Sequence, residues 1–179
     1  KKFLVSSKEA ERYYRNENDI LRKSKKSREV EPLRNADNRI PRNFHGLLVN
    51  QKAAYMFTAP PLFDVGEKQI NLKIAEILGD RYAKACKDLC VNASNSSVAW
   101  LHYWVTEEGT FEYGVIDSNQ ILPIFSSDLN QRLLALLRNY KILDESNGKE
   151  MVIWEYWTKK ESFAFRTEAK GYSHLNLQY

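Results

Sequence analysis

Apolar residues recur at helical spacing through the first half of the chain and at strand spacing through the second. Residues 7–23 read as a helix, with Ser7 as its cap, acidic residues in the first turns, and a broken stripe of Tyr13, Tyr14, Ile20 and Leu21. A second helix is expected after Asn43, a good N-cap, with Phe44, Leu47, Leu48, Ala54 and Tyr55 as its apolar stripe and Pro60-Pro61 beyond its end. Residues 67–78 and 80–93 predict a third and a fourth helix, broken at Gly79. The polar cluster Asn92–Ser97 closes the fourth.

From Val98 the period changes to two. Val98–Val105 and Phe111–Ile116 predict a hairpin turning at Glu107-Glu108-Gly109. Ile121–Phe125 predicts a short strand that Pro123 confines to an edge. Asp144–Gly148 reads as a turn, and Met151–Trp157 and Ser162–Thr167 pair as strands across Thr158–Glu161. The run 133–140 is continuously apolar and fits helix or strand by pattern alone. Helices first and antiparallel strands afterwards make an α+β protein, with residues 1–34 a helix and basic linker and 35–179 the α+β domain. Its expected core is Phe44, Leu47, Leu48, Tyr55, Ile77 and Tyr82 from the helices. Leu89, also helical, is joined by Leu101, Tyr103, Val115 and Ile153 from the strands. On that expectation Leu48→Ala costs about 2–5 kcal/mol.

Composition narrows the class. The 179 residues are 43% apolar and 12% aromatic, which excludes wholesale disorder, and no segment nears the ~20 apolar residues of a membrane-spanning helix. No signal peptide is recognisable, and the missing initiator Met predicts a fragment or a lost leader. Two cysteines, Cys86 and Cys90, are too few for a disulfide-stapled secreted domain. Both fall on the apolar stripe of the fourth helix, away in sequence from His45, His102 and His174, so they are expected reduced, buried and without metal.

Charge is uneven: residues 1–42 carry a net +6 and the remainder −2. The basic part reads as a solvated helix and linker. The alternative is a nucleic-acid-binding domain, with weak phosphate contact through Arg22, Lys23, Lys25, Lys26 and Arg28. Catalytic constellations are not apparent. Ser126, Ser127 and Asp128 lack nucleophile-elbow spacing, and His102 sits in an aromatic strand. Glu107 and Glu108 occupy a hairpin tip, Glu150 and Glu155 face opposite sides of a strand, and no glycine-rich phosphate loop is present. No catalytic, cofactor or metal residue is therefore assigned, and the protein is expected not to be an enzyme. Trp154, Tyr156 and Trp157 beside Lys159 and Lys160 suit base stacking, or equally a covered sheet face.

Three segments in order resemble the portal proteins of tailed bacteriophages, the subunits of the head–tail connector ring. Tyr13-Tyr14-Arg15-Asn16-Glu17-Asn18-Asp19-Ile20-Leu21 is similar to that family's "YY-x-G-x-H-x-I-L" helix end, with Asn16 or Glu17 where glycine is usual. Asn38 to Phe57, continuing into Thr58-Ala59-Pro60-Pro61, resembles "N-x-x-x-x-N-F-x-x-x-x-V-x-x-K-x-x-Y-x-F". Ser97-Val98-Ala99-Trp100 and Val115-Ile116-Asp117-Ser118 through Pro123-Ile124-Phe125 resemble the "G-x-A-Y" and "x-V-x-D-P-x-x-x-x-P-I-Y" strands, with Ser118 in place of the proline.

The resemblance covers roughly residues 12–143 and implies a strand for 133–142. It implies the outer, wing-like α+β portion of a portal, without the helices of the tunnel, clip and crown. It also implies a cyclic ring of about twelve copies of the chain. Expected partners are the terminase motor, the capsid and head-completion proteins. Duplex DNA slides through the ring without a cofactor, and the portal vertex of the virion is the expected place, after synthesis in the host cytoplasm.

Overall fold

The computed structural model describes residues 2–22, 39–168 and 176–178. The chain divides into two compact units, Lys1–Ser118 and Asn119–Tyr179. The first holds four helices and a hairpin: α1 (Lys2–Tyr14), α2 (Phe44–Met56), α3 (Lys68–Leu78), α4 (Arg81–Ser96), β1 (Trp100–Val105) and β2 (Phe111–Ile116). The second is a sheet of β3 (Ile121–Phe125), β4 (Leu133–Leu143), β5 (Glu150–Thr158), β6 (Ser162–Glu168) and β7 (Asn176–Gln178). Its strands neighbour one another in chain order, every pair antiparallel. The α+β class is as the sequence pattern predicts.

α1 departs from the expected 7–23. It begins earlier and stops at Tyr14, because Asn16 turns into the left-handed region at φ 65°. Asn16 N–H then donates to the Tyr13 carbonyl and Glu17 N–H to the Arg12 carbonyl, closing the helix end. Asp19–Leu21 continues only as a short 3-10 turn. Ser7 is not a cap: it lies mid-helix, 2% exposed, with its hydroxyl 2.5 Å from that of Ser96 on α4. α2 starts as expected, Gly46 N–H donating to the Asn43 side chain at 2.9 Å. α3 ends at Gly79, whose φ of 63° suits glycine. α4 runs on through the polar cluster to Ser96 and ends with Ser97 in the left-handed region.

The ambiguous run is a strand, β4, central enough to pair with β3 on one side and β5 on the other. β3 lies at the edge of the sheet, as Pro123 predicts. A bulge at Ile124/Phe125 lets Phe125 pair with Leu133 while Ile124 pairs with Ala135. Among the described residues of the sheet, Ile121 and Ala135 are the buried apolar ones. β7 is a strand that the sequence pattern does not predict.

The expected core is largely wrong. Among the described residues the buried apolar side chains of the helical unit are Val49, Ala53, Cys86 and Tyr113. Phe44, Leu47, Leu48 and Tyr55 are exposed, as are Ile77, Leu101 and Tyr103. Tyr82, Leu89, Val115 and Ile153 are half-buried. The reason is legible in α2. This helix is apolar nearly all round, so its pattern does not say which apolar side turns inward. Close approach of α1 and α4 selects the small side, Gly46, Val49 and Ala53, and the large side chains point out.

Candidate functional site

Two kinds of surface in the helical unit invite a function, and a polar layer between helices positions the first. Tyr14 hydroxyl donates to Asn50 Oδ1 at 2.7 Å, and Asn43 Nδ2 donates to the Tyr14 carbonyl at 3.0 Å. His45 Nε2 lies 2.8 Å from Asn95 Oδ1, and Asn95 Nδ2 donates to Glu11 at 3.4 Å. These bonds tie α2 to α1 and α4 by direction as well as by contact, since each needs its partner at a fixed angle. They hold α2 in the rotation that presents Phe44, Leu47, Leu48 and Tyr55 outward, at 59–85% exposure. Gln51 lies among them by helical spacing, with Lys52 at the rim.

The second surface is on the hairpin. Leu101, Tyr103 and Val105 alternate onto one side of β1, opposite Val115, Tyr113 and Phe111 of β2. Tyr113 is 5% exposed and its hydroxyl donates to the Leu78 carbonyl at 2.5 Å. Arg81 stacks on the Tyr113 ring and pairs with Glu112, and the carboxylate keeps the guanidinium charged beyond its ordinary range. α4 packs on β2, and Asn92 Nδ2 reaches the Ile116 carbonyl. β1 lies beyond that cover, so Leu101, Tyr103 and Val105 stay 45–68% exposed. Glu107 and Glu108 stand exposed at the tip.

An open groove of about 530 Å³ lies between the Pro60–Phe63 segment and α3 with the start of α4. Its walls are chiefly apolar, Leu72, Ala75, Leu78 and Tyr82 among them. In the sheet unit, Glu155 accepts from Arg138, Tyr140 and Trp157 at 3.3, 2.8 and 3.2 Å. Burial, and then the Glu155 bond, push the Tyr140 phenol above its usual value. Asp144 gathers the hydroxyl and N–H of Ser146 and is held below the ordinary carboxylate range, with Arg166 at 2.7 Å assisting. These are structural ties between strands of the sheet.

The residues weighed for chemistry are dispersed. Ser126 donates to Asp128 two residues on, a local turn. His102 meets Trp104 edge-on at 5.3 Å. Both cysteines are free thiols; Cys86 is buried as expected, while Cys90 is half-buried with its Sγ 3.8 Å from Met56 Sδ. Among the described residues no three His, Cys, Asp or Glu side chains converge as a metal site would require. No helix there is long and apolar enough to cross a membrane. Of the basic residues expected at phosphate, Arg22 is exposed at the end of the 3-10 turn; Lys23, Lys25, Lys26 and Arg28 lie outside the described residues. The exposed α2 face and the β1 strip were missed by pattern reading, which placed Phe44, Leu47, Leu48, Tyr55, Leu101 and Tyr103 in the core.

Residues 3–179 match the family model described as "Phage portal protein, SPP1 Gp6-like". The chain belongs to this portal protein family. The portal protein of Clostridium phage phiCD119 is 42% identical over 167 residues, covering 85% of this chain and 37% of that protein. The portal protein of Bacillus phage SPP1 is 27% identical over 134 residues, covering 72% of this chain and 27% of that protein. The chain thus spans about a third of the length of these portal proteins. Membership agrees with the resemblance carried by the Tyr13–Leu21, Asn38–Pro61 and Ser97–Phe125 segments.

Proposed function

We propose that the protein is a structural subunit of a phage portal, the head–tail connector ring that forms the passage for DNA during packaging and ejection. The match to the portal family across residues 3–179 carries this reading. The described chain is its wing-like α+β portion. The proposed partners are further copies of the protein in a closed ring, the capsid, the terminase motor and head-completion proteins, at the portal vertex of the virion. The role is passive: a duplex that must slide is hindered by many strong phosphate contacts, each of which adds salt-sensitive affinity. Native mass measurement of the full-length protein tests the ring. A single closed oligomer is expected, and a strictly monomeric species at high concentration overturns the reading.

The basic segment from Arg22 to Arg28 makes only weak phosphate contact in this reading. Glu29 and Glu31 offset its charge soon after, and a DNA reader needs a rigid basic face or a recognition helix. Fluorescence anisotropy with labelled duplex should give a Kd no tighter than about 10⁻⁴–10⁻⁶ M at physiological salt. Nanomolar binding that survives that salt, and is lost when Lys23, Lys25 and Lys26 are changed to Glu, would instead assign the chain to nucleic-acid binding.

A further inference from the structure

α2 is packed the opposite way from an ordinary surface helix: its small residues face inward and its large apolar residues face water. Phe44, Leu47, Leu48 and Tyr55 form one contiguous ridge on that outward side, at positions i, i+3, i+4 and i+11. The polar bonds to α1 and α4 prevent the helix from rolling to bury them. β1 presents a second apolar surface, a strip of alternate side chains, Leu101, Tyr103 and Val105. A two-stranded ribbon is marginal by itself, so an uncovered apolar side on it is costly unless something packs there.

We infer that these two surfaces mate between successive copies of the chain, the outward ridge of α2 on one copy seating against the β1 strip of the next. The inference rests on the ring reading above and names the contact that builds it. A contact with two-fold symmetry uses one self-complementary patch, whereas a ring is built from two different patches that repeat head to tail. The helical unit carries two such patches, unlike in shape and both apolar. Their rims carry opposite charge. Arg42 precedes α2 and Lys52 borders the ridge, while Glu107 and Glu108 stand at the tip of the hairpin that bears the strip. Opposite rims guide the encounter and set its register, and the apolar centre holds the contact.

Cross-linking between differently marked copies tests this in the full-length protein. One population carries Leu48→Cys and the other Tyr103→Cys, both with Cys90→Ser so that the half-buried native thiol does not compete. Both marked positions are exposed, so the fold is retained, and far-UV circular dichroism checks it. After co-assembly and oxidation, a covalent dimer should form in the mixture and in neither population alone. A wild-type ring of full mass whose marked mixture gives no cross-link overturns the inference while leaving the ring reading intact. Cross-linking of the Leu48→Cys population with itself also overturns it, because that contact is two-fold. Wild-type protein that stays monomeric overturns the ring reading and this contact together. Reversal of charge gives a second measure. Glu107→Lys with Glu108→Lys should weaken assembly by about tenfold at low salt, and adding Arg42→Glu with Lys52→Glu should restore it. Unchanged assembly in the first variant, or no recovery in the second, removes the charge-guided register.

Discussion

Asp19 shows how single side chains hold the end of α1. Its carboxylate accepts from Arg12 at 2.7 Å and from the Tyr13 hydroxyl at 2.6 Å. The Arg12 bond first, and the Tyr13 bond second, hold the Asp19 carboxyl below its ordinary range. A depressed folded-state value means that the unfolded chain takes up the proton first. The stabilisation is therefore present above the ordinary Asp value of about 3.9 and fades as pH falls through the lower folded value. Chemical denaturation at a series of pH values should show Asp19→Asn flattening this acid-side loss. Asn16 offers a backbone test. At φ 65° it occupies a conformation that costs an ordinary residue roughly 1–2 kcal/mol. Asn16→Val should destabilise by about that much in urea titration, and Asn16→Gly should not. Glu155 serves three donors at once, and its side chain is 15% exposed. Glu155→Ala takes one acceptor from each of them, and a loss of about 1–3 kcal/mol is expected from thermal unfolding.

At the scale of elements, α2 is the piece whose parts have separable effects. Asn43 caps the helix through Gly46 N–H and ties it to α1 through the Tyr14 carbonyl. Asn43→Ala removes both, and a cost of about 1 kcal/mol or somewhat more is expected in equilibrium unfolding. Leu48→Ala should do far less to the same measurement. Its side chain is 63% exposed, so the expectation of a large cavity cost falls away and the change should stay within about 0.5 kcal/mol. Ala135 in β4 makes the contrast: it is 4% exposed between two paired strands, and Ala135→Leu should destabilise by about 1–3 kcal/mol through overpacking.

For the whole molecule, stability and assembly are expected to separate. Among the described residues few apolar side chains are buried in either unit: Val49, Ala53, Cys86 and Tyr113 in one, Ile121 and Ala135 in the other. Much of the large apolar surface, from Phe44 to Leu129, is left in water by the single chain. Burial of that surface on association is favourable at roughly 25 cal/mol per Å². Leu48→Asp should accordingly leave the far-UV circular dichroism spectrum of the chain unchanged while abolishing assembly of the full-length protein at micromolar concentration, read by sedimentation velocity.

What the residues determined by themselves were the local structures whose causes are local. Asn43 before an apolar run, Gly79 where a positive φ was needed, Pro123 in a short strand and the Asp144–Gly148 turn each act through a few neighbouring atoms, and each element appears where its pattern places it. The portal resemblance was likewise readable, because it rests on the order and spacing of short motifs along the chain. The early stop of α1 at Asn16 was missed because several helix formers follow a residue that tolerates both conformations. Tertiary contact alone decided which side of α2 turned inward. An all-round apolar helix has no preferred face until neighbours arrive, and the polar bonds from Tyr14 and Asn95 chose the small-residue side. The same holds for β1, whereas the run that became β4 was ambiguous by pattern and legible as a strand only through the portal resemblance. Alternation says which residues share a face, but only the element packed above a strand determines whether that face is core or surface.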